Sequence, residues 1–277
     1  MRRLIWGLLA TTGLLLPACG SDGNESSTPP ADPRPGVIDT ALASSDDSGA
    51  VETGGQRADG PMPAPDPDDA FRVLVTNPEG VSSPGLDAVV SVLAARPATH
   101  VEVIAPAADT SGAAGDRSSA EVAPVEAETM TGHRAYAVNG GMLDTLDVAL
   151  EPTTVPFDLA IVGATTGSAA VDGASQTLTD HGVPVLVIAV DDDPDLAAAG
   201  LALSTVLDYH LDDVVQSADR HTLTISSCTS GVARGPVVVH ASTDPLPPAD
   251  CSKAATDPFD DDAEAVSNGF ATLAAHP

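Results

Sequence analysis

Positive charge is scarce in this sequence: its 277 residues hold 11 lysines and arginines against 40 aspartates and glutamates, and Lys253 is the sole lysine. A formal net charge of -29 at pH 7 excludes nucleic-acid binding through a patch that neutralises phosphates. The acidic side chains, mostly aspartates, are scattered rather than blocked. They read as a solubilising surface, with adaptation to a salty or cation-rich surround as the alternative. Zinc-type spacing is also missing. The three cysteines form no Cys-x-x-Cys and no nearby Cys/His spacing of the zinc type, so zinc has no support. None of the seven histidines falls in a His-Glu-x-x-His pattern, and for each a surface or helix-end role is the default. The apolar run from Leu4 to Leu16 is shorter than a spanning helix needs.

What that run does have is the form of a targeting segment. Arg2 and Arg3 precede it and Leu16-Pro17-Ala18-Cys19 follows, the tripartite pattern of an export signal. Residues 1–19 resemble a bacterial lipoprotein signal, with Cys19 lipidated after cleavage; plain secretion is the alternative. The expectation is an exported lipoprotein, cell-surface or periplasmic, anchored to a membrane through Cys19 without spanning it. Residues 20–70 are rich in Ser, Gly, Pro, Asp and Ala, with no periodic apolar pattern. Such a segment cannot bury enough apolar surface to offset its ordering entropy, so it is predicted to be a disordered tether. With Cys19 lipidated, Cys228 and Cys251 remain as a pair. In an exported protein they most simply form a disulfide, worth on the order of 3 kcal/mol; two free thiols or metal ligation are the alternatives.

From residue 71 onward the composition turns to Val, Ala and Leu, and a single domain is predicted over 71–277. Val73 to Thr76 reads as a strand, Asn77-Pro78-Glu79-Gly80 as a turn, and Ser83-Pro84 as the capped start of a helix. Leu86, Val89, Val90 and Leu93 give that helix one apolar face. Val101 to Ile104 closes a right-handed βαβ unit. Further buried-type strands are expected at Phe157 to Gly163 and Val185 to Val190, with weaker ones at Leu223 to Ser226 and Pro236 to His240. A strand or hairpin fits within 113–134. A helix is predicted through Leu143, Leu146 and Leu150, and another through Leu196, Leu203, Val206, Leu207, Leu211 and Val214. Gly182 suits the end of a short helix. The fold expected is α/β: a three-layer αβα sandwich with a mostly parallel, doubly wound, Rossmann-like sheet and a small C-terminal extension. In such sheets ligands bind beyond the carboxyl ends of the strands, which makes Asn77 to Gly80 the first place to look for chemistry.

These same stretches carry a family resemblance. Asn77, Gly80, Pro84, Gly85 and Leu86 are similar to the Asn-Asp-Asp-Gly and Pro-Gly-Leu that open the SurE family of metal-dependent nucleotidases, although the two aspartates are here Pro78 and Glu79. Ala105-Pro106 with Ser111-Gly112 resembles the family's Ala-Pro-Asp…Ser-Gly loop, with Ala107 in place of its aspartate. Tyr136-Ala137-Val138, Asn139-Gly140-Gly141 and Asp144 keep the spacing of the family's Tyr-x-Val-x-Gly-Thr-Pro-Ala-Asp without its Thr-Pro. Phe157 to Gly163 resembles Pro-Asp-Leu-Val-Val-Ser-Gly, after which the family has Ile-Asn; Thr165 stands at the asparagine. The family's phosphate-contacting loop is reduced to Gly167-Ser168-Ala169-Ala170. Asp262 to Leu273 is similar to the family's closing segment.

The resemblance implies hydrolysis of phosphomonoesters such as nucleoside monophosphates, with a divalent metal, magnesium or manganese, as cofactor. It places Asn77 and Glu79 in the catalytic turn and Glu79, Ser111 and Thr165 around the metal. A small phosphate ester or nucleotide would be the ligand, and a homodimer formed by exchange of C-terminal elements is a further partner it suggests. Such chemistry uses paired carboxylates to hold a cation that polarises the phosphoryl group. Pro78 supplies no carboxylate and removes a backbone donor. The sequence therefore supports two readings: a SurE-like phosphatase with a degenerate metal site and weakened or lost activity, or a non-catalytic surface lipoprotein using the fold as a binding or structural module.

Overall fold

A computed structural model describes residues 70–276 apart from 113–116, 119–121, 152–154, 166–168, 192–194, 218, 229, 244 and 255–258. The predicted export segment with Cys19 and the predicted tether up to residue 69 lie outside the described residues, as do Gly167 and Ser168 of the shortened loop. Among the described residues no helix is long and apolar enough to cross a membrane.

The chain begins with β1 (Phe71–Thr76), α1 (Pro84–Ala94) and β2 (Thr99–Pro106), followed by β3 (Pro124–Glu128), β4 (Arg134–Val138) and α2 (Met142–Ala149). It continues through β5 (Leu159–Thr165), α3 (Ala169–Asp180), β6 (Val185–Val190), α4 (Leu196–Tyr209), α5 (Leu211–Gln216) and β7 (Arg220–Ile225). Last come β8 (Arg234–His240), α6 (Asp262–Ser267) and β9 (Phe270–His276). Nine strands form one sheet in the order β3-β4-β2-β1-β5-β6-β7-β9-β8. From β4 through β2, β1, β5 and β6 to β7 the pairing is parallel, and β8 also runs parallel to β9. Only β3 on β4 and β9 on β7 are antiparallel.

Alternation along the central strands sorts the core into two layers, as strand geometry requires. Val73 and Val75 of β1 pack with α1, α4 and α5 through Leu86, Val90, Leu203, Val206 and Val214. Leu74, between them, joins Ile104, Leu146, Ala174 and Leu178 under α2 and α3. The result is the expected αβα sandwich. Ser83 caps α1 by accepting from the Leu86 amide, with Pro84 in the first turn. Gly182, at φ +74°, ends α3: its amide reaches Thr179 O and that of Val183 reaches Leu178 O, the paired bonds of a Schellman cap.

Two expectations are refined. The apolar pattern from Leu196 to Val214 is two helices, because His210, at φ -129°, closes α4 and opens α5. The apolar face runs on across the bend, with Leu207 and Val214 both buried, so periodicity alone reads through it. The C-terminal extension is part of the main sheet, since β9 inserts between β7 and β8. Cys228, just after β7, is disulfide-bonded to Cys251 with their Cα atoms 5.6 Å apart, which pins this edge to the rest.

Candidate functional site at the carboxyl ends of the strands

The chain winds outward from β1 through β2 and β4 on one side and through β5, β6 and β7 on the other. The switch point lies between β1 and β5, where loops diverge and leave a crevice. Asn77 to Gly80 leaves β1 at that crevice. Thr165 ends β5, and Ala107 to Gly112 follows β2 on the same edge.

Asn77 is fully buried and organises the turn. Its Oδ1 accepts from the Glu79 amide at 2.7 Å, its carbonyl accepts from the Gly80 amide at 3.0 Å, and its Nδ2 donates to Ser83 Oγ at 3.2 Å. Ser83 Oγ is the hub: it also accepts from the Leu86 amide at 3.2 Å and donates to Glu79 Oε2 at 3.3 Å. A hydroxyl has one proton and two lone pairs, so Ser83 is saturated. Glu79 is thereby tied to the first turn of α1. The turn is also strapped to the next loop. Pro78 O accepts from both the amide and the hydroxyl of Thr110, at 2.7 and 3.0 Å, and the Val81 amide donates to Pro106 O. Gly80 sits at φ +95°, which strains any L side chain, and a Cβ there would also press on Pro106 O at 3.1 Å, so the position favours glycine.

The remaining expected residues are placed as follows. Ser111 is half-buried and donates both its amide and its hydroxyl to Asp109 Oδ1, at 2.8 and 2.6 Å. Those two bonds hold the Asp109 carboxyl below its ordinary value. Thr165 is fully buried and its Oγ1 has no hydrogen-bond partner. It follows a bulge where β5 and β6 shift register between Gly163 and Thr165. Gly163, at φ +115°, makes that bulge: a Cβ there would collide with Ile188 O. Further along, Asp144 accepts from the Gly141 and Ser118 amides, at 2.8 and 2.7 Å, and fixes the start of α2. Asp191 Oδ2 accepts from the Ser227 amide at 2.6 Å.

The fold therefore brings Asn77, Glu79 and Thr165 to one edge of the sheet, with Ser111 on the neighbouring loop. Among the described residues no group of three or more His, Cys, Asp or Glu side chains could hold a metal ion. Sequence reasoning missed the centrality of Ser83, which it read only as a cap, and the strap from Thr110. A threonine in a polar loop carries no local signal for a contact 32 residues away.

Residues 73–179 match the family model described as survival protein SurE. A 5'-nucleotidase SurE from Methanopyrus kandleri is 32% identical over 127 residues, 43% of this chain and 48% of that protein. The one from Methanocella arvoryzae is 28% identical over 133 residues with the same shares. The chain spans about half the length of the curated relatives it matches. The crystal structure of SurE protein from Aquifex aeolicus superposes with a TM-score of 0.52 at 16% identity, covering 74% of this chain and 92% of that one, which establishes the shared fold. Over residues 73–179 the chain is therefore similar to SurE proteins in sequence, and its fold is theirs.

Proposed function

We propose that this chain is a SurE-family, nucleotidase-like domain that has lost metal-assisted phosphomonoester hydrolysis and keeps the fold as a non-catalytic binding or structural module of an exported lipoprotein. One observation carries the reading: the turn after β1 offers a single carboxylate, Glu79, and that carboxylate already accepts the Ser83 hydroxyl. A hard divalent cation takes mainly charged oxygen ligands. The other expected donors are neutral, and the Ser111 hydroxyl is directed to Asp109. Only the Thr165 hydroxyl, buried and unpartnered, is free to contribute. One engaged carboxylate and one neutral hydroxyl do not fit magnesium or manganese, so no catalytic step is assigned to a metal here.

Phosphate recognition has little support either. Arg72, Arg96, Arg117, Arg134 and Arg220 are each paired with a carboxylate. Arg234 and Lys253, the other described cations, donate to backbone carbonyls.

The test is hydrolysis of a generic phosphate ester and of nucleoside monophosphates by the full chain, with and without magnesium or manganese, beside Glu79→Ala. The expected result is no turnover and no metal-dependent rise in melting temperature, because a ligand that binds only the native state must stabilise it. Metal-dependent turnover lost in Glu79→Ala would instead establish a working variant of the nucleotidase site. Anchoring is tested separately: metabolic labelling with a fatty acid should mark the wild-type chain and not Cys19→Ser.

A further inference from the structure

We propose that the antiparallel β7–β9 junction is an acid-released latch: solvent protons on His221 and His276 free the C-terminal end of β9 from β7, while the Cys228–Cys251 disulfide holds the other end. The junction end lies at the opposite end of the strands from the crevice, and the latch does not depend on the reading of that site.

The geometry is that of a ladder fastened differently at its two ends. Pairs run from Arg220 opposite His276 to Thr224 opposite Thr272. Beyond the second end, the chain leaving β7 reaches Cys228, whose bond to Cys251 is covalent. At the first end there is no covalent tie, and two imidazoles stand there. His221 is 7% exposed, and its Nδ1 is buried with no hydrogen-bond partner. A protonated imidazole has two N–H donors to satisfy, so charging His221 in place would strand one of them. His276 is half-buried and ends β9. Its ladder partner Arg220 is a fixed cation and His221 is close enough to add to the repulsion.

Burial disfavours the His221 cation and outweighs a hydrogen bond to the Asp219 backbone and the carboxylates of Asp219 beside it and Asp213 on α5, which favour it. On β6 its ladder neighbour is the apolar Leu186. Facing His276 are Asp262 on α6 and Asp172 on α3, which favour the cation, against burial, Arg220 and His221, which oppose it and prevail. Both imidazoles are therefore held below the ordinary 6.5. Water has a way in: a cavity of about 330 Å³ opens beside His276 and Arg220, lined also by Asp172, Ser175, Gln176 and Asp219. An opening that begins there exposes both rings, and each then recovers its ordinary affinity for a proton.

Hydrogen–deuterium exchange of the full chain at pH 7.5 and pH 5.0, corrected for intrinsic rates, tests this. Amides of Ala274 to His276 should exchange about tenfold faster or more at pH 5.0, with those of Ala160 to Val162 unchanged. The double variant His221→Asn, His276→Gln should lose the difference. Acceleration spread evenly over the sheet, no acceleration, or an undiminished effect in the double variant would overturn the latch. Should His221→Asn fail to fold, NMR titration of the wild-type imidazoles decides: midpoints below 6.5 support the proposal and midpoints at or above it overturn it.

Discussion

Ser83 shows how much one side chain can hold. Its hydroxyl joins Asn77, Glu79 and the Leu86 amide, so Ser83→Ala removes a helix cap and leaves the buried Asn77 amide short of an acceptor. The expected loss is about 1–2 kcal/mol, read from the midpoint of urea unfolding. Asp87, one turn further into α1, has a different task. It accepts from the hydroxyls of Thr129 and Thr131, at 2.6 and 2.8 Å, and from the Thr131 amide at 2.9 Å, tying α1 to the β3–β4 turn. Burial alone would raise its pKa, but these bonds, with a contribution from His133, bring it below the ordinary 3.8. The folded state thus prefers the carboxylate. Its contribution is complete above pH 3.8 and is lost as the pH falls through the lower folded value. Asp87→Asn should lower stability at pH 7 and flatten the acid limb of a plot of melting temperature against pH.

At the scale of elements, local chemistry was legible wherever a side chain acts on its own backbone. Ser83 and Pro84 announce the start of α1, and Gly182 announces the end of α3. Gly182→Ala should cost about 1 kcal/mol, because alanine must then take φ +74°; calorimetric melting would show it. The bend at His210 was not legible, since Leu211 and Val214 keep the apolar period while the backbone turns. β3 was legible only as a strand or hairpin somewhere within 113–134, because its residues are mostly exposed and its pairing with β4 depends on a partner.

For the whole molecule, the disulfide is the largest single constraint that the sequence foretold. It joins residues 23 apart, and the double change Cys228→Ser, Cys251→Ser should lower stability by about 3 kcal/mol. Part of that loss should appear as faster exchange over β8 and β9, the strands it secures. The sheet order explains why: within the sheet, β9 is joined to the body through β7, and β8 is joined through β9.

Sequence alone determined the charge, the buried strands, the capped helices, the cysteine pair and the family motifs with their missing aspartates. Each of these is written in residue type and short spacing. Only the tertiary structure decided that Thr165 is buried without a partner, that Thr110 straps Pro78, and that His221 and His276 both stand at one end of the β7–β9 ladder. Those depend on which strands become neighbours and in what register. That choice is made by burial summed over the whole sheet, and no local stretch of sequence contains it.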